Sequence, residues 1–178
     1  MRNASSMPSQ VSDAWTAASG LKSKVAATRL GVSCALALLV SGLALALTAC
    51  ATAPVVVATD KAPKAIGPYS QAVRAGATLY LSGQIPLDPS TGEIVQGEIE
   101  AQARRVLDNL KAVLAAAGYR LEDVVSCQVF LLDLRDFAAV NKIYGEYFPS
   151  APPARATVQV AGLPRGARIE ITAIAVKP

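Results

Sequence analysis

Histidine is absent from this sequence of 178 residues, and cysteine occurs only three times. Without an imidazole, the Ser-His-Asp and Cys-His arrangements of many hydrolases are excluded, as are most catalytic zinc sites. Cys34 and Cys50 both lie near the N-terminus, so no disulfide can form within the rest of the chain. Cys127 falls in an apolar pattern and is interpreted as a small buried hydrophobic residue. Because carboxylate clusters with metal-binding spacing are also lacking, we expect no metal site.

The N-terminal part of the chain contains a long uncharged, apolar stretch over residues 30–49. Basic residues precede it, and it ends at residues 47–50 with the sequence LTAC. This layout resembles a bacterial lipoprotein signal, which implies a signal peptide over residues 1–49, a lipidated Cys50 and a tether up to residue 60. The alternative is a membrane-spanning anchor, since about 20 apolar residues cross a bilayer. Both interpretations place the following residues outside the cytoplasm, on the periplasmic side, because the positive charges come first.

The excess of positive charge belongs mainly to this leader. The chain has 17 Lys and Arg against 13 Asp and Glu, but only 13 basic and 12 acidic residues follow Cys50. No block of basic residues interleaved with aromatics occurs in that part. We therefore expect no nucleic-acid partner.

Residues 61–178 have the length of one domain and show no internal repeat. Alternating patterns predict a β-hairpin with strands at 69–74 and 78–82 and a loop at 88–92. Apolar residues then recur at helical spacing from Ile99 onward, and Gly118 is placed where such a helix would end.

The second half of the domain repeats the alternation of strand and helix. An apolar strand is predicted over residues 124–132, followed by a helix that Asp136 caps and Pro149 ends. Two further strands are predicted at 155–160 and 168–176. The order ββαβαββ predicts an α+β fold with two helices on one face of a mixed sheet. Because 52% of the chain is hydrophobic, we expect another subunit to cover the opposite face.

Four motifs carry a resemblance to a known family. They are AIGPYSQ at 65–71, LSGQIP at 81–86, PAR at 153–155 and IEI at 169–171. Together they resemble the Rid (reactive intermediate deaminase, RidA-like) family across residues 61–177. The resemblance implies a chorismate-mutase-like fold, a homotrimer with ligand clefts between subunits, and no cofactor. It also implies hydrolysis of enamine or imine intermediates, such as 2-aminoacrylate, to a 2-keto acid and ammonia.

Arg155 and Glu170 are the candidate catalytic residues. A guanidinium such as that of Arg155 can bind a carboxylate through two hydrogen bonds, and the resemblance assigns it this role. From spacing alone, a solvated arginine on an edge strand is the better interpretation of Arg155, and only the motif match favours the carboxylate-binding role. Glu170 lies between two isoleucines and could activate water as a general base, the role the resemblance gives it. Its alternative is a structural ion pair with Arg155 or Arg168.

Four further residues complete the predicted substrate site. Tyr69 follows a Gly-Pro turn and would supply a phenol, although a core tyrosine is the alternative. Ser82 and Gly83 end a strand where backbone could approach a ligand. Thr157 stands where many relatives have cysteine, and the family uses backbone there. Asn141 matches a recurrent polar position but is left out of the site.

The sequence also leaves the function open at two points. Thr172 stands where relatives often have a second acid, and the implied envelope location differs from the usual cytoplasmic location of Rid proteins. A non-catalytic trimeric lipoprotein that binds small carboxylates is therefore the alternative to a deaminase. Ribonuclease activity, reported for some relatives, is not favoured by the near-neutral charge after Cys50.

Overall fold

Six strands and two α-helices make up most of the regular structure of residues 53–177, the part of the chain that the computed structural model describes. The elements are β1 (Val55–Val57), β2 (Ala72–Ala75), β3 (Thr78–Gln84), α1 (Ile99–Ala116), β4 (Val124–Leu131), α2 (Phe137–Tyr147), β5 (Ala154–Gln159) and β6 (Ile169–Val176). The predicted signal peptide over 1–49 and the predicted lipidation of Cys50 lie outside the described residues. Neither helix of residues 53–177 has the length and apolar character that a membrane span requires.

The six strands form one mixed sheet in the order β1-β2-β3-β6-β4-β5. All neighbours are antiparallel except β4 and β5, which run parallel because α2 carries the chain back between them. The two helices pack together on one face. This α+β arrangement confirms the fold class that the sequence predicted, with one strand more than expected.

α1 forms because apolar side chains repeat along one side of it. Val106, Leu110 and Val113 are fully buried against the sheet. The helix stops just before Gly118, whose φ of 80° is a left-handed conformation that favours glycine. Both the helix and its predicted end are confirmed.

Two local expectations differ from the structure. Residues 50–60 were expected to be a tether, yet Val55–Val57 pairs with β2 at the edge of the sheet. Asp136 was expected to cap α2, and it does stand at the start of that helix. Its backbone is already helical, with φ −75° and ψ −9°, so its carboxylate does not cap the first turn. Both carboxylate oxygens instead accept hydrogen bonds of 2.9 Å from Arg168.

Successive side chains along β6 point to opposite faces of the sheet. Ile169, Ile171 and Ala173 are buried beneath the helices, whereas Glu170 and Ile174 point to the opposite face. We call this opposite side the open face. Tyr80, which pairs with Ile174, keeps 51% of its surface exposed there.

Candidate active site

A cavity of about 360 Å³ opens beside Glu170. Its walls are mostly apolar, and only a serine, a tyrosine and Glu170 bring polar side chains to it. The lining residues are Ile66, Tyr69, Ser82, Gly83, Ile85, Pro164 and Glu170. Four of the residues that were predicted to contact substrate or to position water thus lie together: Tyr69, Ser82, Gly83 and Glu170. We call this group the glutamate cluster.

The Glu170 carboxylate lies directly over the backbone of Gly83. A Cβ atom at position 83 would stand only 1.8 Å from Oε1 of Glu170. Any side chain there would therefore displace the carboxylate. The sequence predicted close approach at Gly83, but it predicted approach by a ligand rather than by the glutamate itself.

Glu170 is a partly buried carboxylate without a charged partner among residues 53–177. It makes no hydrogen bond or ion pair with any residue of 53–177, so the alternative of an ion pair with Arg155 or Arg168 is not observed. Partial burial raises the pKa of its carboxyl above the ordinary value. A carboxylate of this kind binds protons more readily than an exposed one, which suits a general base.

Backbone contacts fix the loop that carries Tyr69. The Tyr69 hydroxyl accepts a hydrogen bond of 3.2 Å from the N–H of Ile66, and the ring is 48% exposed at the cavity. Ser82 donates from Oγ to the carbonyl of Ser70 at 2.6 Å, which ties this loop to β3. Its hydroxyl proton is thereby already used within the chain. The buried Gln71 amide holds the preceding segment through the carbonyl of Pro63 at 2.7 Å. The sequence did not single out Gln71.

Arg155 lies in a second cluster, formed with α2. Its Nη2 donates a hydrogen bond of 2.7 Å to Oδ1 of Asn141. The guanidinium carbon stands 4.5 Å from the ring centre of Tyr144 and 5.8 Å from that of Phe137. No acidic side chain of residues 53–177 pairs with Arg155, so its charge is available to a ligand. We call these four residues the arginine cluster.

The two clusters lie on opposite faces of the sheet. Arg155 pairs in register with Cys127, and Glu170 pairs with Phe130. Cys127 and Phe130 are three positions apart on β4, so they and their partners point to opposite sides. Thr157 follows Arg155 by two positions and shares its side. A single chain therefore does not bring the predicted arginine and glutamate together.

Sequence reasoning missed Tyr144 and Phe137, and it considered Asn141 but left it out of the site. Positions 137, 141 and 144 share one side of a helix, since neighbours three and four apart are adjacent. That spacing was readable, but nothing in the sequence indicated that this side faces Arg155. The contact depends on the parallel pairing of β4 and β5.

The fold and the two clusters define a class of protein: a small α+β domain that offers a carboxylate and a guanidinium from opposite faces of one sheet. Residues 59–177 match the family described as Endoribonuclease L-PSP. This chain belongs to that family, which is also the family of the Rid proteins.

This chain matches nearly the whole length of several named relatives. Protein DfrA of Myxococcus xanthus is 66% identical over 120 residues, which are 66% of this chain and 92% of that protein. The 2-iminobutanoate/2-iminopropanoate deaminase of Mus musculus is 53% identical over 122 residues, 68% of this chain and 90% of that protein. The crystal structure of YyfA, a Rid-family protein from Yersinia pestis, has a TM-score of 0.69 at 46% identity and covers 70% of this chain and 100% of its own.

Proposed function

We propose that this protein is a cofactor-independent enamine/imine deaminase, which hydrolyses 2-imino acids to 2-keto acids and ammonia. The observation that carries the proposal is the unpaired Glu170 carboxylate beside a cavity of about 360 Å³. An unpaired carboxylate in apolar surroundings is poised to exchange protons with a bound water. The deaminase names of similar proteins support the same chemistry.

In the proposed mechanism, the arginine cluster binds the substrate and the glutamate cluster transfers protons. Arg155 binds the substrate carboxylate and so orients the imine carbon. Glu170 accepts a proton from water as the oxygen bonds to that carbon. The same carboxyl returns that proton to nitrogen, which gives a carbinolamine. It then takes the proton of the new hydroxyl group and delivers it to nitrogen, so that the C–N bond breaks and ammonia leaves as the C=O bond forms. Water supplies the ketone oxygen, and no redox partner is needed.

The site is shared between two copies of the chain in this proposal. Arg155 and Glu170 belong to opposite faces of one sheet, so the arginine cluster of one subunit has to meet the glutamate cluster of the next. A homotrimer with cyclic symmetry repeats this contact at every interface. Exposed apolar groups on the open face, including Tyr80 and Val158, support such packing.

Comparison of wild type with two variants tests the proposal. Arg155→Ala is expected to weaken substrate binding, while Glu170→Gln should keep binding and lose about a hundredfold or more in turnover. Ammonia and keto-acid release would be measured from freshly generated imino acids, with buffer as the reference because imines hydrolyse unaided. Wild-type rates equal to those of buffer and of Arg155→Ala would instead support the non-catalytic carboxylate-binding alternative.

We further propose that the domain is exported and attached to a membrane through Cys50, on the periplasmic side. The support is the order of basic residues, apolar stretch and LTAC at residues 47–50. Labelling of the full chain with a lipid precursor should disappear in Cys50→Ala, while Cys34→Ala serves as the control. Labelling that persists in Cys50→Ala would contradict the proposal.

A further inference from the structure

Arg155 is surrounded on the α2 side by an aromatic ring, an amide and a second ring. Tyr144 is buried, and its ring centre lies 4.5 Å from the guanidinium carbon. Phe137 lies further away at 5.8 Å and is 42% exposed. Asn141 fixes one guanidinium nitrogen at 2.7 Å. The other guanidinium nitrogens of Arg155 make no hydrogen bond to residues 53–177.

The hydroxyl of Tyr144 makes no hydrogen bond to Arg155. It is buried near the Cys127 thiol, yet it has no hydrogen-bond partner of ordinary geometry among the described residues. Burial raises the pKa of this phenol far above its usual value. The side chain therefore stays neutral and cannot pair with Arg155 as a phenolate. What it offers the guanidinium is the negative face of its ring.

We infer that Tyr144 is a positioning residue, whose ring holds the Arg155 guanidinium in the orientation that binds a substrate carboxylate. The inference rests on the proposed role of Arg155 as carboxylate ligand. An arginine on an edge strand has several rotatable bonds, and fixing them before binding removes an entropy cost from the binding step. The ring and the amide of Asn141 leave the outward nitrogens free for a ligand.

Three variants of the full-length protein distinguish the effect of the Tyr144 ring on binding from the effect of its hydroxyl and from a general effect on the helix. Tyr144→Phe keeps the ring, and Tyr144→Leu removes it. Tyr147→Leu is the matched control, because Tyr147 lies on the same helix but bonds to Asp108 of α1 at 2.8 Å. The probe is 2-oxobutanoate, the stable product of 2-iminobutanoate hydrolysis, with the neutral 2-oxobutanamide as a ligand without the carboxylate.

Titration calorimetry should show a weakening of about threefold to thirtyfold for 2-oxobutanoate in Tyr144→Leu, the range expected for a lost cation–π contact. Tyr144→Phe and Tyr147→Leu should stay within about twofold of wild type. The amide should bind weakly and equally to all four proteins. In turnover, KM should rise in Tyr144→Leu while kcat changes less, since Glu170 is untouched.

Two results would overturn the inference: wild-type affinity in Tyr144→Leu, or equal losses in Tyr144→Phe and Tyr144→Leu. If Tyr144→Leu fails to fold, Asn141→Ala takes its place at an exposed position and should weaken 2-oxobutanoate binding about fivefold. Wild-type affinity in Asn141→Ala would then overturn the inference. Binding that depends on Arg155 and Tyr144 without any turnover would refute the deaminase proposal alone. Binding that Arg155→Ala leaves unchanged would refute both.

Discussion

At the scale of single residues, Gly83 is the position where the smallest change should have the largest effect. Gly83→Ala places a methyl group 1.8 Å from the Glu170 carboxylate, so that side chain must move. Turnover should fall toward that of Glu170→Gln, with the fold preserved, as assayed by ammonia release and circular dichroism. Gly145→Ala adds the same methyl group on α2, where no atom outside the chain neighbours and the helix's own backbone lies within 4 Å, so it should retain activity. Full activity in Gly83→Ala would show that the carboxylate position is unimportant.

The raised pKa of Glu170 predicts the acid limb of the pH profile. A general base works when deprotonated, so kcat/KM should fall with decreasing pH, with an apparent pKa above the ordinary carboxyl value. The same shift means that folding favours the protonated form. Its contribution to stability is therefore present at low pH and is lost as pH rises through the folded-state pKa. Thermal unfolding of Glu170→Gln near neutral pH should accordingly occur at or above the wild-type temperature.

The motifs identified Arg155 and Glu170 as candidate site residues. They did not predict how the two residues are arranged in the fold. Alternation shows which side of its own strand each residue takes, and it does not show how strands are paired. Only the register of β4 with both neighbours places the two residues on opposite faces. Tyr144 escaped notice because its pattern also fits an ordinary core tyrosine.

At the scale of secondary-structure elements, Asn109 joins α1 to the loop after β3. It is fully buried, and its amide donates to the carbonyls of Ile85 at 3.3 Å and Leu87 at 2.9 Å. Asn109→Leu would leave both carbonyls without this donor. We expect a loss of about 1–3 kcal/mol in the free energy of unfolding, measured with denaturant. Lys111→Leu, at an exposed position of the same helix, should change stability by less than about 0.5 kcal/mol.

The elements differ in how well the sequence predicted them. α1 and β4 have long regular patterns, and both were placed within a residue or two. Val55–Val57 was missed because three valines beside one proline and several small residues show no alternation. That segment becomes a strand only because β2 offers it an edge to pair with. The parallel pairing of β5 with β4 likewise depends on packing of α2 that no local pattern specifies.

At the scale of the whole molecule, the open face predicts self-association. Val158 is 46% exposed on an edge strand, beside the half-buried Phe130. A chain of residues 51–178, the unit that contains the whole sheet, should have the mass of a trimer by light scattering at micromolar concentration. Val158→Lys should reduce it to monomers without unfolding it, because the change lies outside the core. Ala115→Lys, on the exposed side of α1, is the control. A wild-type monomer would contradict the shared site.

The placement of the two clusters on opposite faces has a genetic consequence. In the proposed shared site, two inactive alleles, Arg155→Ala and Glu170→Gln, would each damage only one side. When both chains assemble at random in equal amounts, about a quarter of the interfaces join an intact arginine cluster to an intact glutamate cluster. Cells that express both alleles should therefore recover activity that neither allele provides. A site contained within one chain would show no such complementation.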